Sequence, residues 1–201
     1  MMLPIRPGKG GFLRPFGCGW FIREFLFGHG PEGSPKIDPE AGAPQTDMFY
    51  HYKLALYRAY ADDAAAYENE ERIRMGKPIY TPEEYEERIA WFLSRMPYKL
   101  FKCRYHSFQR YFHWLKQLQW VEPSGKEEKS SVQEVMPDYP EAPPRRYYRL
   151  THKGKEAPDY QWSNPQIILY PERGLEYFRE KRRNHRYSRK APTRSRKTRT
   201  M

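Results

Sequence analysis

The chain has 201 residues, 38% of them hydrophobic, and a formal net charge of +11 at pH 7. Its mean hydropathy of -1.01 is low for one fully packed globule, so part of the chain is expected outside a core. No run approaches the roughly 20 apolar residues that span a bilayer. The two cysteines, Cys18 and Cys103, are far apart and offer neither a disulfide framework nor a C-x-x-C zinc pair.

The charge is unevenly placed. Residues 173–201 sum to +10 and residues 31–100 to -4. A basic end of this kind favours polyanions: DNA, RNA or anionic lipid.

Residues 1–45 are rich in Gly and Pro and read as an irregular arm and linker. Within them, "GWFIREFLFG" (19–28) is aromatic but interrupted by Arg23 and Glu24. It reads as a segment that packs on the domain or on a partner, with contact to a membrane surface as the alternative.

A long helix is expected over 46–75, capped by Thr46 or Asp47. Phe49, Tyr52, Leu56, Tyr60, Ala64 and Tyr67 form its apolar stripe. Gly76 and Pro78 end it. This helix is the candidate homodimer element, or else it packs on the next one. "TPEEYEERIAWFLSRMP" (81–97) carries a cap at Thr81, a proline at the first helical position and Glu84 three residues after the cap. Tyr85, Ile89, Phe92 and Met96 make its buried stripe. The glutamates read as first-turn charges on a solvated face rather than metal ligands.

A short helix fits 98–104, then a turn at Tyr105-His106. Ser107 caps a third helix over roughly 108–119, with Phe108, Phe112 (or Tyr111), Leu115 and Leu118 inward. Gln109, Arg110, His113, Lys116 and Gln117 face outward. Strand-like "WVEP" (120–123), a polar excursion over 124–144 and "RRYYRLTHKG" (145–154) with period-two alternation follow, and "HKG" reads as the closing turn.

"S-x-x-R-Y-F-x-x-L-x-x-L-x-W-V-E-x-S-G" (107–125), followed by "Y-Y-R-L-T-x-K-G-K" (147–155), resembles the recognition helix and wing of PadR-, ArsR- and MarR-like winged-helix regulators. The resemblance covers about residues 81–156. It implies a mainly α fold with a small β-wing, a winged helix-turn-helix, and duplex DNA as partner. Gln109, Arg110 and His113 would reach base edges, and Ser107, Lys116 and Gln117 would contact phosphates. In the wing, Lys126, Lys129, Arg145 and Arg146 would meet the backbone or minor groove. The alternative for each is a solvated polar face. The long Pro-containing wing loop, and the lack of any recognisable sensor domain, depart from the family plan.

The expected organisation is therefore an arm and linker over 1–45 and a helical domain over 46–156 with its winged-helix core at 81–156. A connector and C-terminal helix over 157–183 and a disordered basic tail over 184–201 complete it. The basic side chains at Lys181, Arg182, Arg183, Arg186, Arg189 and Lys190, continuing through Arg194, Arg196, Lys197 and Arg199, can neutralise phosphates without reading sequence.

No P-loop, G-x-G-x-x-G, H-E-x-x-H or G-x-S-x-G is found, so no catalytic activity and no cofactor are expected. Cys103, His106 and His113 make a poor metal set without a fourth ligand. The expected function is sequence-specific or architectural DNA binding in transcription regulation, in a prokaryotic cytoplasm or nucleoid. The alternative is a structural RNA-binding component of a ribonucleoprotein, with a replication-initiation or phage-packaging adaptor as a weaker third reading.

Overall fold

A computed structural model of the chain describes residues 17–31, 34–96, 104–130 and 143–171. The helix expected over 98–104, the tip of the wing loop, the helix after Pro171 and the basic tail lie outside the described residues. The chain divides into two units, residues 1–165 and 166–201.

The first unit is mainly helical, with a small antiparallel sheet. In order it contains α1 (Cys18–Leu26), β1 (Ala43–Pro44), α2 (Gln45–Arg74), α3 (Pro82–Arg95) and α4 (Tyr105–Gln117). Strands β2 (Val121–Glu128) and β3 (Arg145–Leu150) follow, then the short helices α5 (His152–Glu156) and α6 (Asp159–Trp162). A last short helix, α7 (Pro165–Leu169), runs into the second unit, where the Tyr170 amide donates to the Gln166 carbonyl at 3.0 Å.

Residues 19–28 depart from the expectation. They are not part of an irregular arm. They form α1, and Phe21, Ile22, Phe25 and Leu26 are completely buried. The apolar side chains that could have met a membrane surface are already used in the core. Gly and Pro flank this segment without entering its middle, so nothing prevents the helix itself. Gly19 lets α1 approach α6 closely: a Cβ there would lie 2.1 Å from the Trp162 carbonyl oxygen.

Helix α2 has the expected length but not the expected cap, and of the expected stripe only Tyr52 and Leu56 are fully buried. Pro44 holds the N-cap position, and no side chain caps the helix there. Tyr60 and Tyr67 are exposed. The near half buries Met48, Tyr52, Ala55 and Leu56, whereas the far half buries Ala61 and Ala65. At 3.6 residues per turn these two sets lie on roughly opposite sides of the helix. One helix therefore serves two packing partners.

The far half pairs with α3. Ala61 and Ala65 pack against Ile89, with Tyr85, Phe92, Leu93 and Met96 around them. The punctuation of α3 is as expected: Thr81 and Glu84 form a reciprocal capping box, with Pro82 beginning the helix. Arg58 grips Glu86 with two bonds of 2.7 and 2.8 Å. Arg88 pairs with Glu68, and the Tyr85 hydroxyl donates to Asp62.

The near half of α2 joins α1 and α4 in the main core. Its rings form a continuous series: Phe21 lies 5.2 Å from Tyr52, Tyr52 6.3 Å from Phe108, and Phe108 6.3 Å from Phe112, centroid to centroid. Phe112 meets Tyr148 of β3 edge-on at 4.9 Å. The helix paired with α4 in this core is thus α2, together with α1, rather than the 81–97 helix of the expected helix-turn-helix. An 81–156 core omits α1, β1 and all of α2, whose near half belongs to the main core.

The sheet order is β1-β3-β2. Ala43 and Pro44 pair with Tyr148 and Tyr147. Gly42 makes this possible with φ +69°, and a Cβ there would stand 2.0 Å from the Tyr148 carbonyl oxygen. Strands β2 and β3 form an antiparallel hairpin longer than the expected one, with an irregularity between Pro123 and Glu127. The sequence after β3 is not a simple turn. Thr151 caps α5 by accepting from the Gly154 amide. Beyond it, Trp162 is fully buried, 4.8 Å from Trp120, and donates its indole N–H to the Gly154 carbonyl.

Candidate nucleic-acid interface

Helix α4 is sharply two-sided. Phe108, Phe112, Leu115 and Leu118 are buried, as their spacing predicts. Tyr111 sits at the edge, where its hydroxyl donates to the Trp162 carbonyl at 2.5 Å, and burial pushes its pKa well up. It is an anchor between α4 and α6 and not a ligand-facing group.

Gln109, Arg110, His113, Lys116 and Gln117 are all exposed. Arg110 lies against His106, with the guanidinium 3.1 Å from the imidazole Nε2 one turn earlier. The Gln109 side chain lies near the Tyr105 hydroxyl, and the Lys116 ammonium lies 5.8 Å from the Tyr148 ring centroid. These side chains form one continuous polar surface of two helical rows.

Ser107 does not cap this helix. The chain turns helical earlier, at Tyr105, behind an extended Arg104. Ser107 is an exposed residue of the first turn, close to the helix end that carries free backbone N–H groups. Starting three residues earlier brings Tyr105 and His106 onto the helix, where each lies beside one of the expected contact residues.

The hairpin cations are less available than their sequence implies. Arg145 opposes Glu128 in the register, Arg146 opposes Glu127, and Arg149 opposes Glu122. Arg146 pairs with Glu127 at 2.9 Å and Lys126 with Glu128 at 3.0 Å. Arg145 reaches across to Asp47 at 2.5 Å. Hydrogen bonding to Glu128 raises the Lys126 pKa, and the ammonium also lies over the Tyr147 ring at 4.2 Å. Of the four expected wing contacts, Lys129 is exposed and enters no ion pair with a described residue. The other three would have to leave a carboxylate to meet a phosphate.

Residues 17–172 carry a net charge of -2, so the +11 resides in the two ends of the chain. Among the described residues, no group of three His, Cys, Asp or Glu side chains could hold a metal ion. No described helix is long and apolar enough to cross a membrane.

Sequence reasoning passed over the segment after β3, reading it as a turn. The cap at Thr151, with the Gly154 amide three residues on, was the signal for a helix start. That start places His152 and Lys153 beside the C-terminal end of α4, in the same concavity as Lys116. No known family model, no characterised protein and no solved structure matches the chain.

Proposed function

We propose that this protein binds duplex DNA, with α4 entering the major groove and the β2–β3 hairpin lying alongside. One observation carries the reading. The whole apolar stripe of α4 is buried, while Gln109, Arg110, His113, Lys116 and Gln117 stand exposed on one surface. A helix of this kind can be inserted into a groove about 12 Å wide without unpacking its domain. The succession of helix, short strand, helices and antiparallel hairpin, with the short strand on the outer side of β3, supports this reading, since a winged helix would have the same order. Its helix pair is α2 and α4, with α3 added on the far half of α2.

Arg110 suits the O6 and N7 of guanine, and Gln109 suits adenine. His113 lies on the same surface one turn further on. The basic end of the chain adds sequence-independent affinity that falls steeply with salt. Regulation of transcription is the use to which such a reader would be put.

A second reading rests on the charge distribution. With residues 17–172 at -2, nearly all electrostatic affinity resides in the chain ends. That is the arrangement of a ribonucleoprotein component whose ends follow structured RNA. Fluorescence anisotropy separates the two. The full chain and a chain ending at Arg173 are titrated with duplex DNA and with structured RNA at low and moderate salt. DNA binding that survives truncation, and weakens in Arg110→Ala, is the expected result. Binding that disappears with the tail, or that favours RNA at moderate salt, overturns it.

A further inference from the structure

Most cations around the sheet and α5 are already matched. Lys126, Arg145, Arg146 and Arg149 each face a carboxylate, and Lys155 pairs with Glu40. Lys116 and Lys153 enter no ion pair with any described residue. They come from segments 37 positions apart in sequence, yet both line one open concavity of about 500 Å³. The end of α4, the start of β2 and the start of α5 form its walls.

The concavity also contains Glu122, which would repel an anion if it were free. It is not free: the Arg149 guanidinium holds it at 3.0 Å. Thr151 is likewise engaged, donating its hydroxyl proton to the Gln119 carbonyl at 2.6 Å and accepting from the Gly154 amide. These bonds tie α5 to the turn after α4, so the backbone segments that carry Lys116 and Lys153 are braced against each other. His152, on the same wall, lies 3.6 Å from the Glu156 carboxylate.

We infer that this concavity is a seat for a backbone phosphate of duplex DNA, clamped between Lys116 and Lys153. The inference rests on the DNA-binding reading of α4 and adds to it an anchor at the C-terminal end of that helix. A phosphodiester carries one delocalised negative charge, and lysine meets it as a point charge without demanding a bidentate geometry. Such a contact fixes register and orientation on the duplex and carries no sequence information. With one end of α4 held on the backbone, Gln109, Arg110 and His113 are kept towards the end that reads bases.

The test uses the salt dependence of duplex binding in the full chain and in the chain ending at Arg173. Each phosphate contact adds about 0.9 to the slope of log affinity against log salt. Lys116→Ala and Lys153→Ala should each lower that slope by about 0.9 in both backgrounds, equally for different duplex sequences. Between about 50 and about 200 mM salt, wild type should then lose about 3-fold more affinity than either variant. Lys77→Ala, in the loop between α2 and α3, should leave the slope unchanged. Thermal melting of each variant checks that the exposed substitutions leave the fold intact. If the shortened chain binds duplex DNA and neither lysine alters its slope, the phosphate seat is wrong and the reading of α4 survives. If the shortened chain does not bind duplex DNA at either salt, both fall together.

Discussion

The body formed by α1, α4, the sheet and the near half of α2 is held by large rings. The hairpin formed by the far half of α2 and α3 is held by Ala61, Ala65 and Ile89, with charged pairs around them. Both use the same continuous helix, but they bury opposite sides of it. Aromatic side chains bury far more area per residue than alanine, and ring pairs add directional contacts. Exposed ion pairs add little each, typically under about 1 kcal/mol. The body should therefore be the stable unit that positions the candidate interface. The hairpin should be the part that opens first, and opening it should leave α4 in place.

The strongest challenge to this contrast is Phe25→Ala. If α1 is a core helix, removing a completely buried ring should cost about 3–5 kcal/mol. Urea unfolding would show it as a lower midpoint with an unchanged slope. A change under about 1 kcal/mol would return residues 19–28 to the status of a peripheral arm.

Smaller effects are expected in the hairpin. Ile89→Ala should cost about 2 kcal/mol, and Thr81→Ala, which removes one half of the capping box, about 1 kcal/mol. The sharper readout is their location. Hydrogen exchange should accelerate across the far half of α2 and α3, while the amides of α4 and β3 keep their protection. Equal acceleration in α4 would mean that the two regions unfold as one.

The smallest expected effect is a pH dependence confined to the body. His51 stacks on Phe25 at 5.5 Å, and burial lowers its pKa from 6.5, opposed in part by Asp47. The folded state therefore binds the proton less readily than the unfolded chain. The contribution of neutral His51 is present above pH 6.5 and is lost as pH falls through the lower folded-state value. His51→Gln should flatten that part of the stability profile, measured as the urea midpoint between pH 7.5 and 5. An unchanged profile would assign the acid sensitivity to other groups.

Some local signals were read correctly, while the caps expected for α2 and at Ser107 were not, because Pro44 and Arg104 hold those positions. The capping box of α3 and the buried stripe of α4 were legible because both depend on neighbours a few residues away. The long helix α2 shows where such reading stops. Its apolar residues continue at three- and four-residue spacing through Tyr60 and Tyr67, yet both are exposed. The buried side changes because a second partner, α3, approaches from the other direction, and nothing within α2 records that approach. The same holds for α1, whose flanking glycines and prolines suggested an arm although its four apolar side chains are core.

By itself, the sequence determined the lengths of α2 to α4, the outward polar face of α4 and the concentration of positive charge at the end of the chain. These follow from residue type and from spacing within one element. Only the tertiary structure decided which helix pairs with α4, that Ala43 and Pro44 add a third strand to the hairpin, and which cations remain unmatched. Arg145 meets Asp47 from 98 positions away, and Lys116 and Lys153 line one concavity at the end of α4. Charge in a sequence is a property of residues. Availability of that charge depends on what folding brings beside it, and that is set by packing between elements.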